Sequence, residues 1–162
     1  MNRNLKFVFV LTIVALVFTA CKNNDEDEEN NPAPQTQQWE MTINVNITDP
    51  DPSPFTITGD VDVTVDGENV TFKGDFINGN LTFEDIVFNG KLNGNVVTMT
   101  TSNVSVNYDF QGTTYTENIT WTMDPFAVNV DNANGGGDLQ AHKTPGDITE
   151  SGTFTFTAQL KN

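Results

Sequence analysis

From Trp39 onward apolar and polar residues alternate: Trp39, Met41, Ile43, Val45 and Ile47 share one face, and Glu40, Thr42, Asn44, Asn46 and Thr48 the other. A period of two predicts a strand with one buried face. Asp49-Pro50-Asp51-Pro52-Ser53-Pro54 lacks the donors for a continuous ladder and predicts a turn. Phe55, Ile57, Val61, Val63 and Val65 predict a second strand, with Gly59 in the same register marking a bend or bulge. After a turn at Asp66-Gly67-Glu68-Asn69, Val70, Phe72 and Phe76 predict a third, closed by an Asn78-Gly79-Asn80 hairpin. Leu81 and Phe83 open a fourth whose phase slips to Ile86 and Phe88, which requires a bulge near Glu84-Asp85. Asn89-Gly90 and Asn93-Gly94 compete for the next turn.

Val97, Met99 and Thr101 lead into Val104, Val106, Tyr108 and Phe110, as one kinked strand or as two. A two-residue hairpin at Gln111-Gly112 sets Tyr108 opposite Tyr115, Val106 opposite Glu117 and Val104 opposite Ile119. Ile119, Trp121 and Met123 continue until Asp124-Pro125, after which Phe126, Val128 and Val130 resume the pattern. From Asp131 to Gly152 apolar periodicity vanishes around Gly135-Gly136-Gly137, predicting a long loop that is mobile or functional. Phe154, Phe156, Ala158 and Leu160 form a closing strand. The expectation is an all-β domain over residues 39–162, an antiparallel meander barrel or sandwich of about 8 strands.

Upstream, Arg3 and Lys6 precede an apolar run from Phe7 to Phe18, short for a membrane span and the size of a secretory signal. The run closes in Phe18-Thr19-Ala20-Cys21, which resembles the lipobox of bacterial lipoproteins. That resemblance implies a signal peptide over 1–20, cleavage before Cys21, and a membrane partner reached through lipid on its thiol. Cys21 is the only cysteine, so a disulfide within the chain is excluded. Residues 21–38 read as the acylated cysteine and an acidic tether: Asp25-Glu26-Asp27-Glu28-Glu29 is a like-charge block, followed by Pro32, Pro34 and glutamines. An acidic block so close to the cysteine resembles the export signal of Bacteroidetes surface lipoproteins, which implies an outer-membrane, surface-exposed location.

The runs Asp66-Gly67-Glu68-Asn69-Val70-Thr71-Phe72, Phe76 to Ile86, and Leu92-Asn93-Gly94-Asn95-Val96-Val97 resemble the meander of calycin-like and lipocalin-like lipoproteins of that phylum. The resemblance implies an antiparallel barrel or a flattened version of one. The Gly-x-Trp opening of lipocalins is absent, since Trp39 stands between Gln38 and Glu40.

Charge and chemistry narrow the function. The formal net charge is −15, and Arg3, the only arginine, leaves with the signal peptide. Such a surface repels nucleic acid and anionic headgroups. With one histidine, His142, and one cysteine, the chain lacks the parts of a catalytic triad or a nitrogen- and sulfur-rich metal centre. Asp131, Asn132, Asn134 and Asp138, or Asp49 with Asp51, do not match the spacing of a calcium loop and read as turn formers. No catalytic residue, metal or cofactor is expected. Trp39 and Trp121 read as core residues, either of which would offer a stacking platform if exposed.

Glu117 is the anomaly, because the hairpin register puts it on the apolar face with Val104, Val106 and Tyr108. A bulge can relieve it, or it is the polar group of a pocket at a barrel mouth, with Tyr108, Tyr115 and Trp121 as its neighbours. The expected function is a non-catalytic binding or accessory module of the cell envelope. It would take a small apolar ligand, a glycan or an envelope protein through the mouth and the 131–152 loop. The alternative is a structural or adhesion protein with no ligand pocket.

Overall fold

The computed structural model describes residues 33–79 and 81–161. The predicted signal peptide, Cys21 and the acidic block lie outside those residues. Ten strands follow one another: β1 Gln35–Asp49, β2 Ser53–Asp66, β3 Asn69–Asn78, β4 Leu81–Asn93, β5 Val96–Met99, β6 Ser102–Phe110, β7 Thr113–Met123, β8 Phe126–Ala127, β9 Asn132–Thr144 and β10 Ile148–Leu160. They form one antiparallel sheet in the order β6-β7-β9-β10-β1-β2-β3-β4-β5-β8. The sheet curls into an open half-barrel with β6 and β8 as its edges. The all-β expectation holds, with ten strands in place of about eight and with no closed calycin barrel.

β1 lies between β2 and β10, pairing Ile43 with Ile57 on one side and with Phe156 on the other. Its inward residues Trp39, Met41, Ile43, Val45 and Ile47 are all buried. The strand starts at Gln35, because Gln35–Gln38 find ladder partners in Val65 to Asp62. The anticipated slip in β4 is present: Gly74 pairs with Ile86 and Phe76 with Phe83, so Glu84 and Asp85 face a single residue, Asp75. Asp85 takes φ 53° and donates its N–H to Asp75 Oδ1 at 2.7 Å. Of the two candidate turns, Asn93-Gly94 is used, with Gly94 at φ 63°, whereas Gly90 is buried within β4.

The expectation of a loop over 131–152 is overturned. Asn132–Thr144 and Ile148–Leu160 are long strands joined by a short turn, and β9 pairs with β7 on one side and β10 on the other. The cause is size. Ala133, Gly135, Gly137, Leu139 and Ala141 alternate inward, and a Cβ on Gly135 would sit 2.6 Å from Phe156 Cε1 and 3.0 Å from Phe126 Cβ. Glycine here makes room for rings, a role that hydropathy does not register.

The interior is filled with aromatic side chains meeting edge to face. Trp121 contacts Phe154 at 5.0 Å between centroids and Phe88 at 6.3 Å, while Phe126 contacts Phe156 at 4.9 Å and Phe72 at 6.2 Å. Such geometry suits the ring quadrupole and adds about 0.5–1.5 kcal/mol per pair beyond area burial. A gap of about 10 Å³ remains among Ile43, Phe76, Phe88 and Trp121, at the lower limit for a single water and far too small for a ligand. On the convex face threonines are tied to asparagines across the ladder: Thr56, Thr71, Thr116 and Thr120 donate to Asn44, Asn89, Asn107 and Asn103 at 2.7–3.0 Å.

Candidate functional site

The ladders place the turns after β1, β3, β6 and β9 at one pole of the half-barrel. The first residues of β1 lie at the other pole. A recess of about 250 Å³ opens at the pole of the turns, walled by Phe55, Leu81, Phe83, Val106 and Ile119, with Tyr108, Glu117, Lys143 and Glu150 among its polar side chains.

The predicted hairpin register is the observed one, with Tyr108 against Tyr115 and Val106 against Glu117 without interruption. No bulge relieves Glu117. Its partner on the other side of β7 is Lys143, directly opposite in the ladder. Lys143 Nζ reaches Glu150 Oε1 at 3.0 Å, and both side chains are about four-fifths buried. Glu150 takes the ion pair with Lys143, and Glu117 feels that ammonium only through its charge.

Burial pushes the Glu117 carboxyl above the usual range; Lys143 opposes the shift, Glu150 adds to it, and the nearby Tyr108 hydroxyl favours the carboxylate. Burial also raises the Tyr108 phenol, and the Glu117 charge pushes it further. For Lys143 burial acts downward, but the Glu150 hydrogen bond and the two carboxylate charges hold the ammonium above its ordinary value.

Of the sequence-predicted site residues, Glu117 and Tyr108 are brought together in the recess. Tyr115 stacks on Tyr108 at 5.6 Å with a 20° interplanar angle, half-buried beside it. Trp121 is elsewhere, buried edge-on between Phe88 and Phe154, where it fills the interior instead of lining a site. Trp39 is likewise buried, and its Nε1 has no hydrogen-bond partner among the described residues. Sequence reasoning missed Lys143 and Glu150, because both fall in the segment read as a loop. Their signal was the two-residue phase running from Ala133 through Leu139 and Ala141 to Lys143.

His142 lies on β9, half-exposed, with Nε2 3.4 Å from Asp147 Oδ1. Asn132, Asn134 and Asp138 are ladder residues paired with Gln159, Thr157 and Thr153. Among the described residues no helix is long and apolar enough to cross a membrane.

Beside the recess runs a seam. β5 pairs with β4 only over Gly90–Asn93, after which the chain continues as β6 alongside the earlier part of β4. Thr100 donates N–H and hydroxyl to Asn89 O at 2.8 Å each, and Ser102 Oγ donates to Val87 O at 2.7 Å. Beyond Ser102 no backbone hydrogen bond joins β4 to β6 among the described residues.

No family model matches this sequence, and no curated relative matches it. Among solved structures, the ywiB protein from Bacillus subtilis is similar at 8% identity over 78% of this chain and 94% of that one, with a TM-score of 0.42.

Proposed function

We propose that this protein is a non-catalytic lipoprotein of the cell envelope, held by lipid on Cys21 and surface-exposed. Its β domain serves a structural or adhesive role and does not enclose a ligand. The observation that carries the reading is the filled interior: where a calyx would hold an apolar molecule, Ile43, Phe76, Phe88 and Trp121 leave about 10 Å³. Ligand cavities are typically ~300–1,000 Å³. The recess at the mouth is an indentation with a charged side, suited to contact with a surface. The chain enters β1 at the pole opposite that recess, so a tether on Cys21 attaches at the far end from the mouth and leaves it free for contact.

Native mass spectrometry of the full chain purified from its own envelope tests this. The expected species carries the lipid on Cys21 and nothing else, and a stoichiometric lipid or sugar released on unfolding would overturn it. Cys21→Ser is expected to remove acylation and release the protein from membranes, and unchanged retention with normal processing would refute the anchor.

A further inference from the structure

Sheets end at edges, and the two edges here differ. β8 is two residues long and is covered at its end by the Val128–Ala133 bridge. β6 runs nine residues, Ser-Asn-Val-Ser-Val-Asn-Tyr-Asp-Phe, with no lysine, proline or bulge to blunt it. Long flat edges without such devices pair with other chains.

Gln111 and Gly112 have φ 51° and 79°, the two-residue turn in which Phe110 and Thr113 exchange hydrogen bonds. Alternation along the ladder then turns the N–H and C=O groups of Asn103, Ser105, Asn107 and Asp109 away from β7, into the seam. At the inner side of those groups lies the recess, with Leu81 37% exposed and Phe83 and Tyr108 half-buried. At its far wall Lys143 is paired with Glu150, and Glu117 stands beside them with no ion pair of its own among the described residues.

We propose that the seam between β4 and β6 is a docking site for an extended segment of another protein. That segment adds as a strand along β6, sets apolar side chains into the recess and brings a lysine or arginine to Glu117. The inference rests on the surface-contact reading above and names the place and chemistry of the contact. Charge selects the occupant. A second copy of this chain carries −15 and brings another acidic rim, and the block from Asp25 to Glu29 is acidic throughout. A cationic, alternating segment complements both the main-chain edge and the acid pair.

The probe is a labelled ten-residue peptide of alternating Val and Thr with one central Lys, titrated against the full chain by fluorescence anisotropy. Saturable binding is expected, with slowed amide exchange at Asn103, Ser105 and Asn107. Exchanging the peptide's Lys for Glu is expected to weaken binding by about tenfold or more, and a central proline to abolish it. Asn107→Pro removes an N–H that β7 does not use and is expected to weaken binding at least ~tenfold with the circular dichroism unchanged. Glu117→Gln keeps the shape and is expected to cost several-fold. No binding, equal binding of the proline peptide, or protection elsewhere than β6 and β4 would each overturn the proposal. Those results leave the mass-spectrometric test of the filled interior untouched, so the two readings fail separately.

Discussion

The centre of the half-barrel and its mouth are built on the same strands and obey opposite rules. At the centre, β7, β9 and β10 contribute Trp121, Gly137 and Phe154, and the rings of Phe154 and Phe156 are matched across the ladder by Gly137 and Gly135. Four to six residues away along the same strands stand Glu117, Lys143 and Glu150, and the recess there holds about 250 Å³. Position along a strand, more than choice of strand, decides whether a residue serves cohesion or contact.

The comparison is broken most severely at the centre. Phe156→Ala removes a ring held against Phe126 and Gly135 and is expected to cost about 3–5 kcal/mol, read as a lower urea midpoint with an unchanged slope. Gly135→Val acts by the opposite means, forcing atoms into Phe156, and is expected to cost roughly 1–3 kcal/mol.

Changes at the mouth are expected to be smaller and to depend on pH. Lys143→Met leaves Glu117 and Glu150 without their counter-charge, and a loss of about 1–2 kcal/mol is expected near neutrality, since the cluster keeps some solvent. Glu117 holds its proton more tightly folded than unfolded, so the native state carries the extra proton between the ordinary glutamate range and its raised folded value. Stability therefore falls as pH rises through that window. In Lys143→Met the window widens, so its deficit should shrink on acidification, while Glu117→Gln should flatten the profile. Thermal melts across pH 4–8 in about half-unit steps distinguish these outcomes. Least of all, Thr120→Val on the convex face removes the bond to Asn103 and is expected to cost under ~0.5 kcal/mol.

Legibility in the sequence followed side-chain size. The inward face of β1 and the register of the β6–β7 hairpin were readable to the residue, because Trp39 to Ile47 and Val104 to Ile119 carry large apolar groups on one face, whereas Gln35–Gln38, read as tether, carry none and are strand. The slip at Glu84-Asp85 was readable because Phe83 and Ile86 are both large and out of phase. β9 was not, because the same alternation is written there in alanine and glycine, which hydropathy cannot separate from a loop. That one misreading hid half of the charged cluster. Glu117 was visible as an anomaly, but its remedy, Lys143, lay across a ladder that was not foreseen. The filled interior was likewise not legible, since alternation tells which residues face inward and not whether they meet.

The place of β1 has a consequence for how the molecule is made. The first strand synthesised pairs along its length with the last, Trp39 with Leu160 and Val45 with Phe154, and Lys161 N–H donates to Gln38 O. Until β10 emerges, one flank of β1 stays open and the β6–β7–β9 sector has no bond to the β1–β5 sector through the sheet's middle. Contacts so distant in sequence fold slowly. A chain synthesised amino end first must therefore be released whole before the sheet can close. The start of β1 and the end of β10 meet side by side, so joining the sheet there and cutting a surface turn instead would leave its ladders intact.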